Sequence, residues 1–212
     1  IGLTRKAFDL GFDGVVVLPP YYYRKVTEDG LLRWYGTLIE HAVPKAGKLF
    51  GYHIPQVSGV PLTMDLLARS LDVYPERFAG IKNSSPDPEF TNQLGERFSA
   101  DLEIFCGNDI LFSQALGNEA AGCITALANL CSTDSRQLWE RFINKEPTVF
   151  VQDKLVEARG LIDRYPPAPP LIKFILSQLY GFPRWTVRPP LVPVDSILAE
   201  KIIPDAESVL DI

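Results

Sequence analysis

Five short apolar runs, each followed by a stretch of helical periodicity, constrain this chain more than anything else in it. They are GVVVL at 14–18, LFGYHI at 49–54, FAGI at 78–81, EIFC at 103–106 and GCITAL at 122–127. Continuous rather than alternating apolarity, clearest in GVVVL, marks a parallel strand covered on both faces. Helical patterns begin after Thr27, Thr63, Asp87 or Pro88, and Ile110, and earlier at Leu3 with a stop at Gly11. Strand–helix alternation at about 25–30 residues per unit predicts a parallel α/β sheet. Beyond the fifth run Ser132 or Thr133 caps a further helix, and the pattern is then helical only. Long helices are expected over 149–165 and 171–180, and a Pro-rich crossing at 187–193 leads to one or two short terminal helices.

No strand is followed by a GxGxxG or Walker-type glycine loop, which disfavours dinucleotide and P-loop folds. The strands end instead in polar groups: the tyrosines 21–23, Tyr52, Lys82, Asp109 and Asn129. Chemistry gathered at the C-terminal ends of successive parallel strands is the habit of a TIM barrel.

Lys82 carries two readings. Burial penalises an ammonium, so a lysine at the end of a buried strand loses its proton more easily. The free amine is the nucleophile that makes a Schiff base with a carbonyl compound. The other reading is a lysine that leaves the core and reaches water along its stem. Its neighbours Asn83, Ser84, Ser85, Pro86 and Asp87 are turn formers leading into a helix.

Charge and composition narrow the partners. Net charge is −5 and no Lys/Arg run occurs, which argues against nucleic acid. No apolar run approaches the roughly 20 residues that cross a membrane. The first fourteen residues carry charges throughout and do not read as a signal peptide; without an initiator Met, the chain reads as beginning inside a longer protein. The three cysteines, Cys106, Cys123 and Cys131, have no CxxC spacing and sit in or beside apolar runs. They read as reduced, buried thiols of a cytoplasmic protein. The two histidines, His41 and His53, have no spaced partner, so no metal site is expected.

The segments GVVVLPPYYY at 14–23, GYHIPQVSGVPLT at 51–63, GIKNSSPD at 80–87, FCGND at 105–109, GCITALAN at 122–129 and VRPPLVPVD at 187–195 together resemble the dihydrodipicolinate synthase / N-acetylneuraminate lyase family, the class I pyruvate-dependent aldolases. They stand in family order and spacing over essentially the whole chain. The resemblance implies a TIM (β/α)8-barrel fold, here an incomplete barrel of about five parallel strands with a C-terminal helical extension. Residues 1–147 would correspond to strands 4 to 8 of the family and 148–212 to the helical region. Lys82 matches the Schiff-base lysine, and Tyr52 in the YxxP motif matches the tyrosine that moves protons. Tyr22 resembles a tyrosine that in the family lies near a neighbouring subunit's active site. Ser84, Asn108 and Asp109 match substrate-binding positions. A small keto acid and an aldehyde are the implied partners, with no organic cofactor or metal, and a dimer or tetramer is the implied assembly.

Plainer readings stand beside these. Tyr23 suits interface packing, Asp109 suits a helix N-cap, Asn129 suits a turn, and His53, alternating with Tyr52 along its strand, points away from the interior.

Two departures from the family pattern matter. A complete barrel has eight strands in about 250 residues, so three opening strands, with the family's Gly-Thr-Thr carboxylate loop, are missing before Ile1. A fragment of a longer protein is the expected cause, ahead of an edge covered by a second chain and of a stable open half-barrel. Second, Val57 stands where dihydrodipicolinate synthases usually carry an arginine for the second substrate's carboxylate, and valine cannot make that ion pair. The SGVPLT continuation and the PYYY run resemble sugar-acid lyases instead, and that resemblance implies cleavage or condensation of a 2-keto-3-deoxy sugar acid or related 4-hydroxy-2-oxo acid. The alternatives are dihydrodipicolinate synthesis and a non-catalytic barrel-derived module.

Overall fold

The computed structural model describes residues 1–210. Five strands, β1 (Gly14–Val17), β2 (Lys48–His53), β3 (Phe78–Asn83), β4 (Glu103–Cys106) and β5 (Gly122–Cys123), form one all-parallel sheet in the order of the sequence. The helices are α1 (Gly2–Asp9), α2 (Glu28–Ala42), α3 (Pro55–Ser58), α4 (Met64–Val73), α5 (Pro88–Phe98), α6 (Phe112–Gly117), α7 (Ser132–Ile143), α8 (Val149–Arg164), α9 (Ala168–Leu179) and α10 (Ser196–Leu210). The chain divides into two compact units, Ile1–Ile124 and Thr125 onward. The second is helical: Leu138, Leu155, Leu161, Leu171, Ile175 and Ile202 of α7 to α10 are buried. α7, which the alternation groups with the strands, belongs to this second unit.

In the first unit the helix starts are set by side chains the sequence offers. Thr27 Oγ1 accepts from the Gly30 amide and Thr63 Oγ1 from the Leu66 amide, while Asp87 Oδ1 accepts from the Glu89 and Phe90 amides. Each such cap contributes on the order of 1 kcal/mol. α2, α4 and α5 bury Tyr35, Ile39, Leu66, Leu67, Leu94 and Phe98 against Leu49, Phe78, Ile81 and Ile104 of the sheet. Each fully buried side chain of this size is worth roughly 1.5–3 kcal/mol, so this face holds the unit together. α1 is different. The periodicity puts Leu3, Ala7, Phe8 and Leu10 near one face, but only Phe8 packs on the core, and Leu3 and Leu10 are exposed.

The other face of the sheet is read in rows, because alternate residues of a strand share a face. One row is Val16, Phe50, Gly80 and Glu103; the next is Tyr52, Lys82, Phe105 and Gly122. Lys48, one row below, forms an ion pair with Glu103. Phe50 and Phe105 meet edge to face across β3 with ring centroids 5.6 Å apart. Gly80 is what permits this, since a Cβ there would lie 2.8 Å from the Phe50 ring and strike the Glu103 carbonyl. Three backbone bonds continue the ladder: Ser84 N to His53 O (2.8 Å), Gly107 N to Asn83 O (2.7 Å) and Ile124 N to Cys106 O (2.8 Å). They place Ser84, Gly107 and Ile124 in a third row, above Lys82.

Several elements differ from the sequence reading. β3 runs one residue past Lys82, because Asn83 is held in the ladder and buried. β5 stops at Cys123, and Leu127–Asn129 is a 3₁₀ turn in which Asn129 Nδ2 donates to Ala126 O. α7 starts after Cys131 with no side-chain cap, so Ser132 and Thr133 lie inside it. The terminal segment is one long helix, α10, with Pro204 inside.

Candidate active site

β2 and β3 bring Tyr52 and Lys82 together as register partners at their C-terminal ends. The Lys82 Nζ lies 4.1 Å from the centroid of the Tyr52 ring, over its face. Both residues are half-buried, whereas Gly51, Ile81, His53 and Asn83 beside them are buried. The lysine is therefore neither sunk in the core nor released to solvent. It leans along its neighbour's ring, a contact worth about 0.5–2 kcal/mol to an ammonium.

Ser84 begins the next row. It is 6% exposed, and its Oγ has no hydrogen-bond partner among the described residues. A buried hydroxyl without a partner costs on the order of 1–3 kcal/mol, so its persistence calls for an explanation. Gly107 of the β4 end faces it. A Cβ at 107 would collide with Ser84 Oγ and stand 3.0 Å from Lys82 Cε. Sequence reasoning passed over Gly107; a glycine directly after the strand that neighbours the candidate lysine's strand was the available signal.

The loop that holds Ser84 is pinned from three sides. Gln56 Nε2 of α3 donates to Ser84 O at 2.7 Å. Asn83 Oδ1 accepts from the Ser85 amide (3.1 Å) and hydroxyl (2.8 Å), and Asn83 Nδ2 donates to Thr91 Oγ1 on α5 (3.2 Å). Asn108 Nδ2 reaches Ser85 O at 3.5 Å, while its Oδ1 accepts from Ile110 N. Neither Gln56 nor Asn83 was singled out from sequence, because their work is to bond backbone and loop, which no motif announces.

Asn108, not Asp109, is the N-cap here, of the 3₁₀ turn Asp109–Leu111. Both are buried, at 8% and 2% exposure. The Asp109 charge acts on Cys106 and Cys123, which share the helix-covered face of the sheet. Burial, reinforced by that carboxylate, pushes the Cys106 thiol up to about 12 and the Cys123 thiol to about 11. His53 also belongs to the covered face. It is 3% exposed, its Nδ1 accepts from Leu62 N at 3.0 Å, and its ring stacks on Phe90 at 4.2 Å. Burial lowers its pKa to about 4, against a smaller opposite pull from Asp87.

Tyr22 stands apart from this group. Tyr21, Tyr22 and Tyr23 are 62%, 83% and 69% exposed, and the Tyr22 and Tyr23 rings meet edge to face with centroids 5.2 Å apart. Lys82, Tyr52 and Ser84 are thus brought together; Asn108 and Asp109 sit behind them, and Tyr22 is on the surface.

The dihydrodipicolinate synthetase family model matches residues 1–206. The chain belongs to that family. It is 34% identical over 196 residues to an uncharacterized DapA-like lyase of Chloroflexus aurantiacus, a match covering 92% of this chain and 64% of that one. It is 30% identical over 202 residues to a 4-hydroxy-tetrahydrodipicolinate synthase of Thermus thermophilus, covering 94% and 66%. The chain spans just under two thirds of the length of these relatives. In fold it resembles an Escherichia coli prophage protein of the dihydrodipicolinic acid synthase family, solved in complex with pyruvate, with a TM-score of 0.87 over 98% of this chain and 70% of that one, at 23% identity. The five parallel strands are therefore part of a dihydrodipicolinate synthetase-family TIM barrel, and no described helix is long and apolar enough to cross a membrane.

Proposed function

We propose that this dihydrodipicolinate synthetase-family chain carries the Schiff-base chemistry of a pyruvate-dependent class I aldolase, cleaving or condensing a 4-hydroxy-2-oxo acid, of which the 2-keto-3-deoxy sugar acids are one group. The observation that carries this reading is Lys82 Nζ held over the Tyr52 ring, one row below a buried hydroxyl with no partner. The free amine of Lys82 adds to the keto carbon, and loss of water gives an iminium. In cleavage the 4-hydroxyl gives up its proton and the C3–C4 bond breaks. Its electron pair passes into the iminium as an enamine, and the aldehyde leaves. The enamine carbon then takes a proton, and water releases pyruvate and the lysine. Tyr52 Oη is the proton carrier on this reading, which is supported by its sharing a row with the lysine and by the lysine's Nζ lying over its ring. Ser84 Oγ completes its hydrogen bonding on the substrate. Asn108 serves by holding the Ser84–Ser85 turn through Ser85 O.

On the same reading no metal or organic cofactor takes part, and the partners are the keto acid and the aldehyde. Residues 1–147 supply the chemistry and 148–212 the helical extension. The exposed Tyr22 suits a contact with a neighbouring subunit of a cytoplasmic homo-oligomer. Dihydrodipicolinate synthesis fits less well, because Val57 offers no cation to a second carboxylate. A non-catalytic barrel-derived module is the remaining alternative.

The test is to incubate the protein with pyruvate, reduce with borohydride and map the product by peptide mass spectrometry. A pyruvyl adduct on the peptide holding Lys82, absent in Lys82→Arg, is expected. No adduct on a folded chain would refute the Schiff-base role.

A further inference from the structure

The backbone of Ser84 is gripped at both of its polar groups from the β2 side. Its N–H donates to His53 O at 2.8 Å, and its C=O accepts from Gln56 Nε2 at 2.7 Å. The first bond continues the strand ladder and would form with any residue but proline at 84. The second comes from a side chain on the segment that follows Tyr52, and no ladder supplies it. Gln56 is exposed, so holding this bond costs it rotamer freedom. The short helix that carries it, α3, is firmly seated. The buried Ser58 donates through Oγ to Ile54 O and accepts from Val60 N, each at 3.1 Å. Gly59 closes α3 at φ +67°, and a Cβ there would lie 2.6 Å from Arg24 Cδ. Lys82 depends on none of this, because its own row places it over the Tyr52 ring.

We infer that Gln56 is a positioning residue for the keto-acid substrate, acting through the hydroxyl of Ser84. By holding Ser84 O it fixes the backbone on both sides of the Ser84 Cα, and with it the direction of Oγ. That oxygen stands beside Gly107 with no hydrogen-bond partner among the described residues. This rests on the Schiff-base reading of Lys82 above. Without the tether the Ser84–Ser85 peptide can turn, and the hydroxyl loses its fixed aim. A hydrogen bond made alike in the bound substrate and in the transition state acts on KM and leaves the limiting rate unchanged. The amine of Lys82 keeps its seat over Tyr52. Gln56 therefore governs how tightly the keto acid is held, not how fast the bound carbonyl is attacked.

The experiment follows trapping on the full chain at a series of pyruvate concentrations with cyanoborohydride present. The Lys82 amine bonds to the keto carbon, the keto oxygen leaves as water, and hydride reduces the iminium to a secondary amine, read as a gain in mass. Gln56→Met keeps the length of the side chain and removes the donor, and Gln56→Lys restores one. Gln56→Met should raise the half-saturating pyruvate concentration about tenfold, the scale of one hydrogen bond, with a limiting rate within about twofold of the parent. Gln56→Lys should bring it back toward the parent value. In a Ser84→Ala protein, Gln56→Met should add nothing, because the group it aims is gone. An unchanged half-saturating concentration in Gln56→Met overturns the inference. So does a fall in the limiting rate alone, or an effect that persists in full in the Ser84→Ala protein. A parent that forms no adduct removes the Schiff-base reading and this inference with it; a parent that traps pyruvate beside unaffected Gln56 variants removes this inference only.

Discussion

Lys82 and Tyr52 are register partners on neighbouring parallel strands, and the lysine's Nζ stands 4.1 Å from the centre of the tyrosine ring. The pairing is a consequence of parity. Residues of one parallel row share a face, so the lysine of β3 and the tyrosine of β2 cannot point apart without a register slip. The irregularity between Leu49 and Phe50 lies below this row and leaves it intact.

Tyr52→Phe separates the ring from the hydroxyl. The ring face that receives the Lys82 Nζ is kept, so thermal stability should change by less than about 1 kcal/mol. On the proposed function the proton carrier is lost, so aldol turnover should fall by about 10²–10⁴, a typical general acid–base contribution. Single-turnover trapping on Lys82 together with a melting curve measures both. Unchanged turnover would assign the proton to another group.

The parallel strand–helix alternation, and the row of strand ends, were legible in the sequence because apolar runs and turn formers are local signals. Lys82 and Tyr52 were legible for the same reason, each lying in a short motif. What the sequence hid were the groups whose partners lie far along the chain. Gln56 bonds a carbonyl 28 positions away and Asn108 one 23 away, and neither bond leaves a mark in its own segment. Asp109 was legible as a polar strand end but not as a buried one, since the direction of a turn is set by tertiary packing. The length of β5 was hidden too: GCITAL is apolar throughout, yet only Gly122–Cys123 pairs, because the backbone bends into the 3₁₀ turn at Leu127.

His53 makes stability depend on pH. Its pKa is about 4 in the fold against an ordinary 6.5, so between those values the unfolded chain binds more protons than the native one. Its contribution is fully present above pH 6.5 and is lost as pH falls toward 4, on the order of 3 kcal/mol for the whole window. His53→Gln, lacking the titration, should be less stable at neutral pH but should flatten the fall between these limits by close to one proton. Denaturant unfolding at a series of pH values gives the slope. A slope identical in both proteins would mean that His53 is not the buried neutral imidazole described here.

Gly107 gives the sharpest test of the site's geometry, because it acts by being small. Its backbone is ordinary; what matters is that Ser84 Oγ and Lys82 Cε occupy the space a side chain would need. Gly107→Ala must push one of them aside, a strain of about 1–3 kcal/mol in a packed region. Gly117 is the control, since nothing lies within 4 Å of a Cβ there and an alanine in α6 should be neutral or slightly stabilising. In Gly107→Ala the pyruvyl adduct on Lys82 should form at least about tenfold more slowly, matching a strain near 1.4 kcal/mol carried into the reacting geometry. Gly117→Ala should trap pyruvate at the parent rate. A folded Gly107→Ala protein that traps pyruvate as fast as the parent would show that Lys82 reacts from a position other than the one it holds beside Ser84.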